Sequence, residues 1–431
     1  MAMVVKNNMS AISTLNTLNK NSSALSKSLQ KVSSGMKING AADDASGYAI
    51  SERMRVQIRG LDQANQNTQN GSSMMKVAEG AVSSTVDILK TLKEKVINAA
   101  NDTNTDADRQ TIQKELDQSI DQINDNANVT YNGKYLVDGS HNSKVSATTS
   151  SLTNESLDAT TKFTDLLTEL KDRNQQSLNI VQGDTITLSY VKEGVTNTTS
   201  MTVASDTKLS DIIGKFSDIG TGNADSVIGK DIAGDTVYTA DGGNALTITA
   251  KTTGVENQIS GLTFSVSNSK GQVKKSVNAV LDNFSESIRA QNGGADNSIN
   301  LQVGTKSNQA IKVGLTDMRA EALGLQAKNG KTLNISTKDY ANAAINVLDN
   351  AVQKALDQQT TIGAVQSRLE YTSSNLTTAS ENVQASESTI RDADMAKEMT
   401  NYTKNNVLMQ AAQAMLSQAN QSSSSVLSLL Q

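Results

Sequence analysis

Apolar residues recur at coiled-coil spacing towards both ends of the chain. Near the N-terminus these positions are Leu15, Leu18, Ser22, Leu25, Leu29, Val32 and Met36, and Ser22 is the only polar one. Near the C-terminus one series comprises Ile362, Leu369, Leu376, Val383 and Ile390, and a second comprises Met395, Tyr402, Met409 and Leu416. Such spacing places the side chains on one helix face. A single helix cannot bury so long a stripe, so each end is predicted to pack against the other end, neighbouring chains, or both.

The N-terminal part of the chain predicts three helices. The first is predicted to run from about Ser10 to Met36, where turn-forming residues follow. A second and much longer helix is predicted to begin near Ala45 and to continue to about residue 100, because its apolar heptad is not interrupted by proline. A third helix is predicted to start at Thr105 or Asp106, either of which can cap its first turn.

The middle of the chain has a different pattern. From Ser140 to about Gly294 the composition shifts to Thr, Ser, Asn, Asp and Gly, and the apolar period becomes two, as in β-strands. The predicted strands contain Ile186 to Tyr190, Thr199 to Val203, Leu246 to Ile248 and Leu262 to Val266, with a short helix at Ile212, Ile213 and Phe216. A β-hairpin is predicted over residues 299–315, with its loop at 306–308, and helical spacing then runs from about Tyr340 to Leu430.

These patterns predict a mainly α-helical fold, a long antiparallel helical bundle or coiled-coil rod with a β-rich insertion. Composition supports long thin packing, since aromatic residues make up 3% of the 431 residues and Trp is absent. Pro is also absent, so nothing interrupts the helices and no slow prolyl isomerisation delays refolding. The absence of Cys excludes disulfides and thiolate metal sites.

Charge and hydropathy argue against nucleic-acid and membrane functions. The first sixty residues contain eight basic and three acidic side chains, but the basic residues are dispersed among apolar seam positions and lack interleaved aromatics. A solvated helix face is therefore predicted rather than a nucleic-acid site. No apolar stretch approaches the ~20 residues that span a bilayer, and residues 1–10 lack the pattern of a secretory signal. We expect no membrane insertion, and export by another route if the protein leaves the cell.

Several segments resemble bacterial flagellins. Residues Leu29-Gln-Lys-Val-Ser-Ser-Gly-Met-Lys-Ile-Asn-Gly-Ala-Ala-Asp-Asp-Ala-Ser-Gly-Tyr-Ala-Ile50 closely resemble the N-terminal signature of that family, a leucine seam followed by Ser-Ser-Gly, basic-Ile-Asn and Ala-x-Asp-Asp-Ala. The stretch Asn7–Ala11 is similar to the start of the family. Glu387–Met399 resembles its C-terminal signature, and Gln410–Asn420 its tail. The resemblance is long and specific.

The resemblance covers about residues 1–140 and 296–431, and it implies a structural subunit that polymerises into the flagellar filament for swimming motility. It implies an inner-tube helix over 1–45, rod helices over 46–140, a variable β-rich outer domain over 141–295, a rod hairpin and helix over 296–385, and a second inner-tube helix over 386–431. In familiar members the large insertion follows the hairpin, whereas here it precedes it. The assembly seam is predicted to comprise Leu15, Leu18, Leu25, Leu29, Val32, Met36, Met395, Tyr402, Met409, Met415 and Leu416.

The resemblance also implies partners and a location. The first partner is the homopolymer of the chain itself. Members of the family leave the cell unfolded through the flagellar export apparatus, so an export chaperone, the hook–filament junction and cap proteins, and an extracellular place in the flagellum are expected. No enzymatic activity, cofactor or metal is expected.

A host Toll-like flagellin receptor is a further expected partner. Flagellins that activate it strongly carry Gln-Arg-x-Arg-Glu-Leu on the long helix, where this chain has Lys90-Thr-Leu-Lys-Glu-Lys95. Thr91 replaces an arginine, and such a desolvated interface residue commonly contributes ~2 kcal/mol or more. The possible contacts are Lys90, Thr91, Lys93, Glu94, Lys95 and Glu115. We therefore predict weak receptor signalling.

Other motifs have structural interpretations. His141 is the only histidine, which leaves little basis for a multi-imidazole metal site or a Ser-His-Asp triad. Adjacent Asp43 and Asp44 are interpreted as a helix start rather than paired catalytic carboxylates. The run from Asp102 to Asp108 has a faint calcium-loop rhythm, but it lacks the required Gly and the bidentate Glu and is interpreted as a capped turn.

Two competing functional classes remain. A secreted coiled-coil effector or translocator acting on host membranes would need an apolar hairpin long enough to insert, and the sequence contains none. An adhesin or hydrolase built on the central insertion would need a pocket or an acid pair between residues 141 and 295, and no such motif is identified. The sequon Asn197-Thr-Thr199 and the many Ser and Thr of the insertion do not locate a glycan.

Overall fold

The computed structural model describes residues 8–429, without the side chains of residues 221, 223, 423 and 426–429. The first position of the Asn7–Ala11 resemblance and the predicted helix end at Leu430 lie outside these residues. The chain forms two compact units. Of the described residues, the first contains 8–68, 302–309 and 371–429, and the second contains 69–301 and 310–370. Each unit is described separately below.

The α-helices of the described residues are α1 (Met9–Ser34), α2 (Ala45–Ala99), α3 (Asp106–Ala127), α4 (Leu209–Ile213), α5 (Lys275–Leu281), α6 (Ala320–Leu323), α7 (Lys338–Arg391) and α8 (Met395–Leu429). The long helices follow the sequence prediction closely, whereas the short helices α5 and α6 were not predicted. α1 ends because Gly35 takes a left-handed conformation with φ 70°, which suits glycine. α7 and α8 are separated at residues 392–394, so the predicted C-terminal seam is carried by two helices.

Local capping explains where α2 and α3 begin. The Asp44 Oδ1 accepts hydrogen bonds from the backbone N–H groups of Ser46 and Gly47, both at 3.0 Å. Thr105 caps α3 in a reciprocal capping box with Asp108. The helix-start role of Asp44 and the predicted cap at Thr105 are therefore confirmed.

The strands form small antiparallel sheets. They are β1 (Thr130–Tyr131), β2 (Lys134–Tyr135), β3 (Ser151–Asn154), β4 (Thr185–Lys192), β5 (Val195–Thr202), β6 (Ile219–Asp225), β7 (Val227–Lys230), β8 (Thr236–Tyr238), β9 (Ala245–Ala250), β10 (Ile259–Ser267), β11 (Ser285–Ile288), β12 (Ile299–Gln302) and β13 (Ala310–Val313). The two larger sheets have the orders β10-β4-β5 and β11-β3-β9-β6, and β12 pairs with β13 as the predicted hairpin.

The second unit contains a β-rich core. Inward residues of both larger sheets and of α4 and α5 form one buried apolar cluster, in which Leu188, Ile248 and Phe264 are almost fully buried. Alternate residues of β4 point to this cluster, as the period of two predicts. The side chains of Asn346 and Asn350 on α7 donate to the carbonyl oxygens of Leu262 and Ser260, both at 2.9 Å. These bonds cover the outer edge of β10.

The second unit also contains a helical core. The α2 heptad of Met75, Val82, Leu89 and Val96 has 0% exposure. Glu79 on α2 accepts a hydrogen bond of 2.7 Å from Gln366 on α7, and Lys95 on α2 lies 2.9 Å from Glu115 on α3. The seven-residue step therefore reports true burial in this part of the chain.

One strand prediction and one helix prediction differ from the structure in their bounds. β5 begins at Val195, four residues before the predicted start, because residues 196–200 of this edge strand all carry hydroxyl or amide side chains and show no apolar alternation. The short helix α4 ends at Ile213, and Phe216 follows it as a buried residue of the core. In both cases the residues lie in or beside the predicted element, but the apolar periodicity does not mark where the element begins or ends.

Candidate interaction surface

In the first unit, α1 and α8 pack against each other along most of their length. Three hydrogen bonds set their antiparallel register. Asn8 Nδ2 donates to the Ala419 carbonyl at 3.2 Å, and Asn21 Nδ2 donates to the Leu408 carbonyl at 3.2 Å. Asn405 Nδ2 donates to Ser28 Oγ at 3.1 Å. Polar groups in a helix interface fix register because a slip would leave them unpaired.

The shared face of this pair has two kinds of residue. Ser28 and Ala412 are buried at 6% and 7% exposure, and their small side chains let the helices approach closely. Larger residues at seven-residue steps are only half-buried beside them. These residues are Leu18, Leu25 and Val32 on α1, and Tyr402, Met409 and Leu416 on α8. The two ends of the chain therefore do pack together, one of the two partners that the seams allow.

The pairing leaves much apolar surface uncovered. Leu15 and Leu29 are 45% and 52% exposed, and Met395 and Met415 are 43% and 62% exposed. We call the following residues the exposed apolar set: Met9, Ile12, Leu15, Leu29, Met395, Met399, Val407, Leu408 and Met415. Nine large apolar side chains thus remain exposed outside the shared face. So many on one helix pair are unusual unless a further partner covers them.

The structure thus divides the predicted seam. Seven of its residues lie at half-buried positions of the first unit, and these are Leu18, Leu25, Val32, Met36, Tyr402, Met409 and Leu416. The other four, Leu15, Leu29, Met395 and Met415, belong to the exposed apolar set. Sequence spacing alone did not separate these two groups, because both recur on the same helical period.

A polar junction closes the base of the pair. Arg391 is 7% exposed and its Nη1 donates to Glu52 Oε1 at 2.7 Å, while its guanidinium lies 5.6 Å from the ring centroid of Tyr48. The backbone N–H of Lys37 donates to the Arg391 carbonyl at 2.6 Å, and that of Ala393 to the Gly35 carbonyl at 2.9 Å. These bonds join the turn between α1 and α2 to the turn between α7 and α8.

The hydrogen bond from Arg391 is the main reason that the pKa of Glu52 is lowered. Both residues escaped the sequence analysis as functional positions. The available signal was their place in the sequence, since Glu52 closely follows one segment that resembles a family signature and Arg391 lies within another.

The predicted receptor contacts lie on α2 and α3 of the second unit. Lys95 Nζ lies 2.9 Å from Glu115, Lys93 pairs with Asp349, and Lys90 Nζ lies 3.3 Å from Asp87. The Thr91 hydroxyl donates to the Asp87 carbonyl at 3.0 Å, and Glu94 is exposed. Several of these side chains are therefore engaged within the chain itself.

Other candidate chemistry resolves into local structure. The His141 Nδ1 lies 3.2 Å from the Asn297 carbonyl, Asp102 contacts Lys338 at 2.6 Å, and Asp43 accepts from the Asn39 N–H at 3.0 Å. Within residues 8–429 no cluster of three His, Cys, Asp or Glu side chains suits a metal ion. Across the same residues no helix is long and apolar enough to cross a membrane.

Paired terminal helices, further long helices and a central β-rich region define a mainly helical fold with a β-rich insertion. The chain belongs to the bacterial flagellin family. It matches the bacterial flagellin N-terminal helical region over residues 5–142 and the C-terminal helical region over residues 345–430.

Relatives along the full length agree with this assignment. A flagellin from Clostridium tyrobutyricum is 34% identical over 97% of this chain and 99% of its own length. A flagellin from Bacillus subtilis is 30% identical over 99% of this chain and 100% of its own length. Among solved structures, the flagellar junction protein FlgL from Legionella pneumophila aligns over 79% of this chain and 99% of its own, with a TM-score of 0.33 and 14% identity.

Proposed function

We propose that this chain is a structural subunit of the bacterial flagellar filament and that it polymerises through α1 and α8. The filament role is that of the relatives, which are named flagellins or flagellar filament core proteins and match nearly all of the chain. The observation that carries the mechanism is the exposed apolar set, which gives a paired terminal unit a reason to bind further copies. We propose a structural function for the chain rather than a catalytic one.

Burial of the exposed apolar set supplies the driving force. Fully burying a large apolar side chain contributes ~1.5–3 kcal/mol. These nine residues already bury about half of their surface, so covering the rest contributes on the order of 10 kcal/mol before the cost of association. The α1–α8 pair of a free subunit is thus incomplete, and neighbouring copies finish its core.

The family also suggests an arrangement and a route. We assign the inner tube to residues 1–45 and 386–431, the surrounding rod to 46–140 and 296–385, and the outer domain to 141–295. We propose export through the flagellar export apparatus with an export chaperone, followed by addition between the hook–filament junction proteins and the cap. The extracellular flagellum is then the site of function. A chain without Pro or Cys suits unfolding and refolding along this route.

A single substitution tests the assembly surface. Leu29→Asp places a carboxylate on an exposed position, so the free chain should keep its helix content and solubility. In a growing polymer the same carboxylate would be desolvated without a partner, which costs several kcal/mol. We expect purified Leu29→Asp not to elongate filament seeds in negative-stain electron microscopy.

The matched control is Gln30→Asp, which adds the same charge to an exposed neighbouring position outside the exposed apolar set. It should elongate seeds much as the unmodified chain does. Filaments of normal length from Leu29→Asp would refute the proposed surface, and persistent monomers of the unmodified chain under all conditions would favour the effector class instead.

We further infer that the chain is a weak ligand of the Toll-like flagellin receptor. The ion pair between Lys95 and Glu115 supports this inference, because two of the expected contact positions neutralise each other within the chain. Thr91 offers no guanidinium, and Lys95 carries a charge where activating members have an apolar residue. A nanomolar response to the purified protein in a receptor reporter assay would contradict the inference.

A further inference from the structure

The exposed methionines of the chain are concentrated in the terminal helices. Of the methionines within residues 8–429, four exceed 40% exposure, and they are Met9 at 69%, Met395 at 43%, Met399 at 46% and Met415 at 62%. All four lie on α1 or α8 and belong to the exposed apolar set. By contrast Met74, Met75 and Met318 of the second unit are almost fully buried.

Exposure controls the reactivity of a thioether towards peroxide. The Sδ lone pair attacks one oxygen of hydrogen peroxide, the O–O bond breaks, and the products are methionine sulfoxide and water. Sulfur loses two electrons and the peroxide gains them, so hydrogen peroxide alone balances the step. A buried Sδ is shielded from this attack by its packing, so the four exposed residues should react before the buried ones.

Oxidation changes the chemistry of the surface that these residues form. A sulfoxide oxygen is a strong hydrogen-bond acceptor and makes a flexible apolar side chain polar. An acceptor buried without a donor costs about 1–3 kcal/mol. Four such groups would remove a large share of the apolar burial available to the exposed apolar set.

We propose that Met9, Met395, Met399 and Met415 form an oxidation-sensitive site at which hydroperoxides block polymerisation of the free subunit. This inference rests on the proposed function, since it requires these residues to be covered by neighbouring copies. It has a second consequence. A subunit already in the filament buries the four thioethers, so assembly protects the residues that peroxide would otherwise modify.

The experiment compares free chains and seeded filaments of the full-length protein. Both are treated with hydrogen peroxide, quenched, digested and analysed by mass spectrometry for the gain of about 16 Da per oxidised methionine. In free chains the four exposed methionines should oxidise at least about tenfold faster than Met74, Met75 and Met318. In filaments the oxidation rate of Met9, Met395, Met399 and Met415 should fall by a similar factor.

Elongation is then measured with untreated seeds. Oxidised free chains should lose most of their elongation rate, while circular dichroism shows their helix content unchanged. The matched control replaces all four residues by leucine, which keeps volume and apolar character but cannot form a sulfoxide. We expect this Met→Leu variant to elongate seeds equally well before and after peroxide.

The outcomes separate the inference from the proposed function. If untreated protein does not elongate seeds, the proposed assembly is wrong, and the block of polymerisation by oxidation is wrong with it. The oxidation rates of free chains then test only whether the four exposed methionines react before the buried ones. Untreated and oxidised chains that elongate equally would overturn the inference while leaving assembly intact. Loss of elongation in the peroxide-treated Met→Leu variant would likewise overturn it, because damage elsewhere would then be responsible.

Discussion

The helices of the two units carry the same apolar period but bury it to different extents. On α2 in the second unit, Leu89 and Val96 have 0% exposure. On α1 in the first unit, Leu25 is half-buried and Leu29 is half-exposed. A seven-residue step therefore identifies the face that seeks a partner, but it does not state whether the partner is in the same chain.

The number of neighbouring elements explains the difference. Within the second unit, α2 is met by both α3 and α7, as the contacts of Lys95 and Glu79 show. α1 packs chiefly against the single helix α8. A single partner helix covers only a narrow stripe of its neighbour. A helix in a globular core has an apolar face about 100° wide or wider, so several neighbours are needed to cover it. The uncovered stripe of the terminal pair is the surface that we propose binds other copies.

The largest expected effect comes from comparing core leucines of the two units. Leu89→Ala should lower the free energy of unfolding of the second unit by about 3 kcal/mol, since the substitution leaves a cavity in a fully packed site. Leu25→Ala should cost the free chain about 1 kcal/mol, because part of its surface is already in solvent.

Urea unfolding of unpolymerised chains, followed by hydrogen exchange of peptides from each unit, measures both values. Leu25→Ala should nevertheless reduce seeded elongation, because the α1–α8 pair positions the exposed apolar set. Equal losses of unfolding free energy for the two variants would show that the terminal pair is a complete core by itself. The two units would then not differ in how completely they bury their apolar faces.

The sequence predicts the helices far better than the small strands. The starts at Ala45 and Thr105 were predictable because Asp44 and Thr105 cap locally, with side chains that bond backbone groups two or three residues away. Seven strands were not predicted, namely β1, β2, β3, β6, β7, β8 and β11. Ser151–Asn154 is buried on both sides, so it contains no apolar alternation, and only pairing with distant β9 and β11 makes it a strand.

The sequence predicted the residues of the candidate surface as one seam, but it did not predict which of them are half-buried and which are exposed. Leu15 and Leu18 are both apolar and belong to one seam, yet Leu15 is 45% exposed and Leu18 is half-buried. The difference depends on the register of α8, which is fixed by the contacts of Asn8, Asn21 and Asn405. Long-range pairs of this kind leave no mark in the local spacing of one helix.

The environment of one carboxyl group in each unit provides a second contrast between the units. In the first unit the pKa of Glu52 is lowered, chiefly by the hydrogen bond from Arg391. In the second unit burial raises the pKa of Asp282 from 3.8 to about 6, although its Oδ1 accepts from the Phe264 N–H at 3.0 Å and from Asn346 Nδ2 at 3.2 Å. The two carboxyl groups therefore respond to pH with opposite sign.

The sign for each unit follows from proton linkage. Between pH 4 and 6 native Asp282 holds a proton that the unfolded chain has released, so the free energy of unfolding of the second unit falls as the pH rises through 6. The contribution of Glu52 to the first unit is present above its ordinary pKa of 4.5 and is lost only as the pH falls through the lowered value. Raising the pH from 5 to 7 should therefore weaken the second unit alone.

Asp282→Asn tests this smaller effect. The amide keeps an acceptor for Phe264 and Asn346 but carries no buried charge, so at pH 7 the variant should be more stable in the second unit by about 1–2 kcal/mol. Its stability should also be flat between pH 5 and 7, measured by urea unfolding with hydrogen exchange. Asp296→Asn is the control, because the pKa of exposed Asp296 is lowered to about 2 and its titration lies outside this range. If Asp282→Asn retained the slope of the unmodified chain between pH 5 and 7, another group would be responsible, and the contrast between the units would then rest on packing alone.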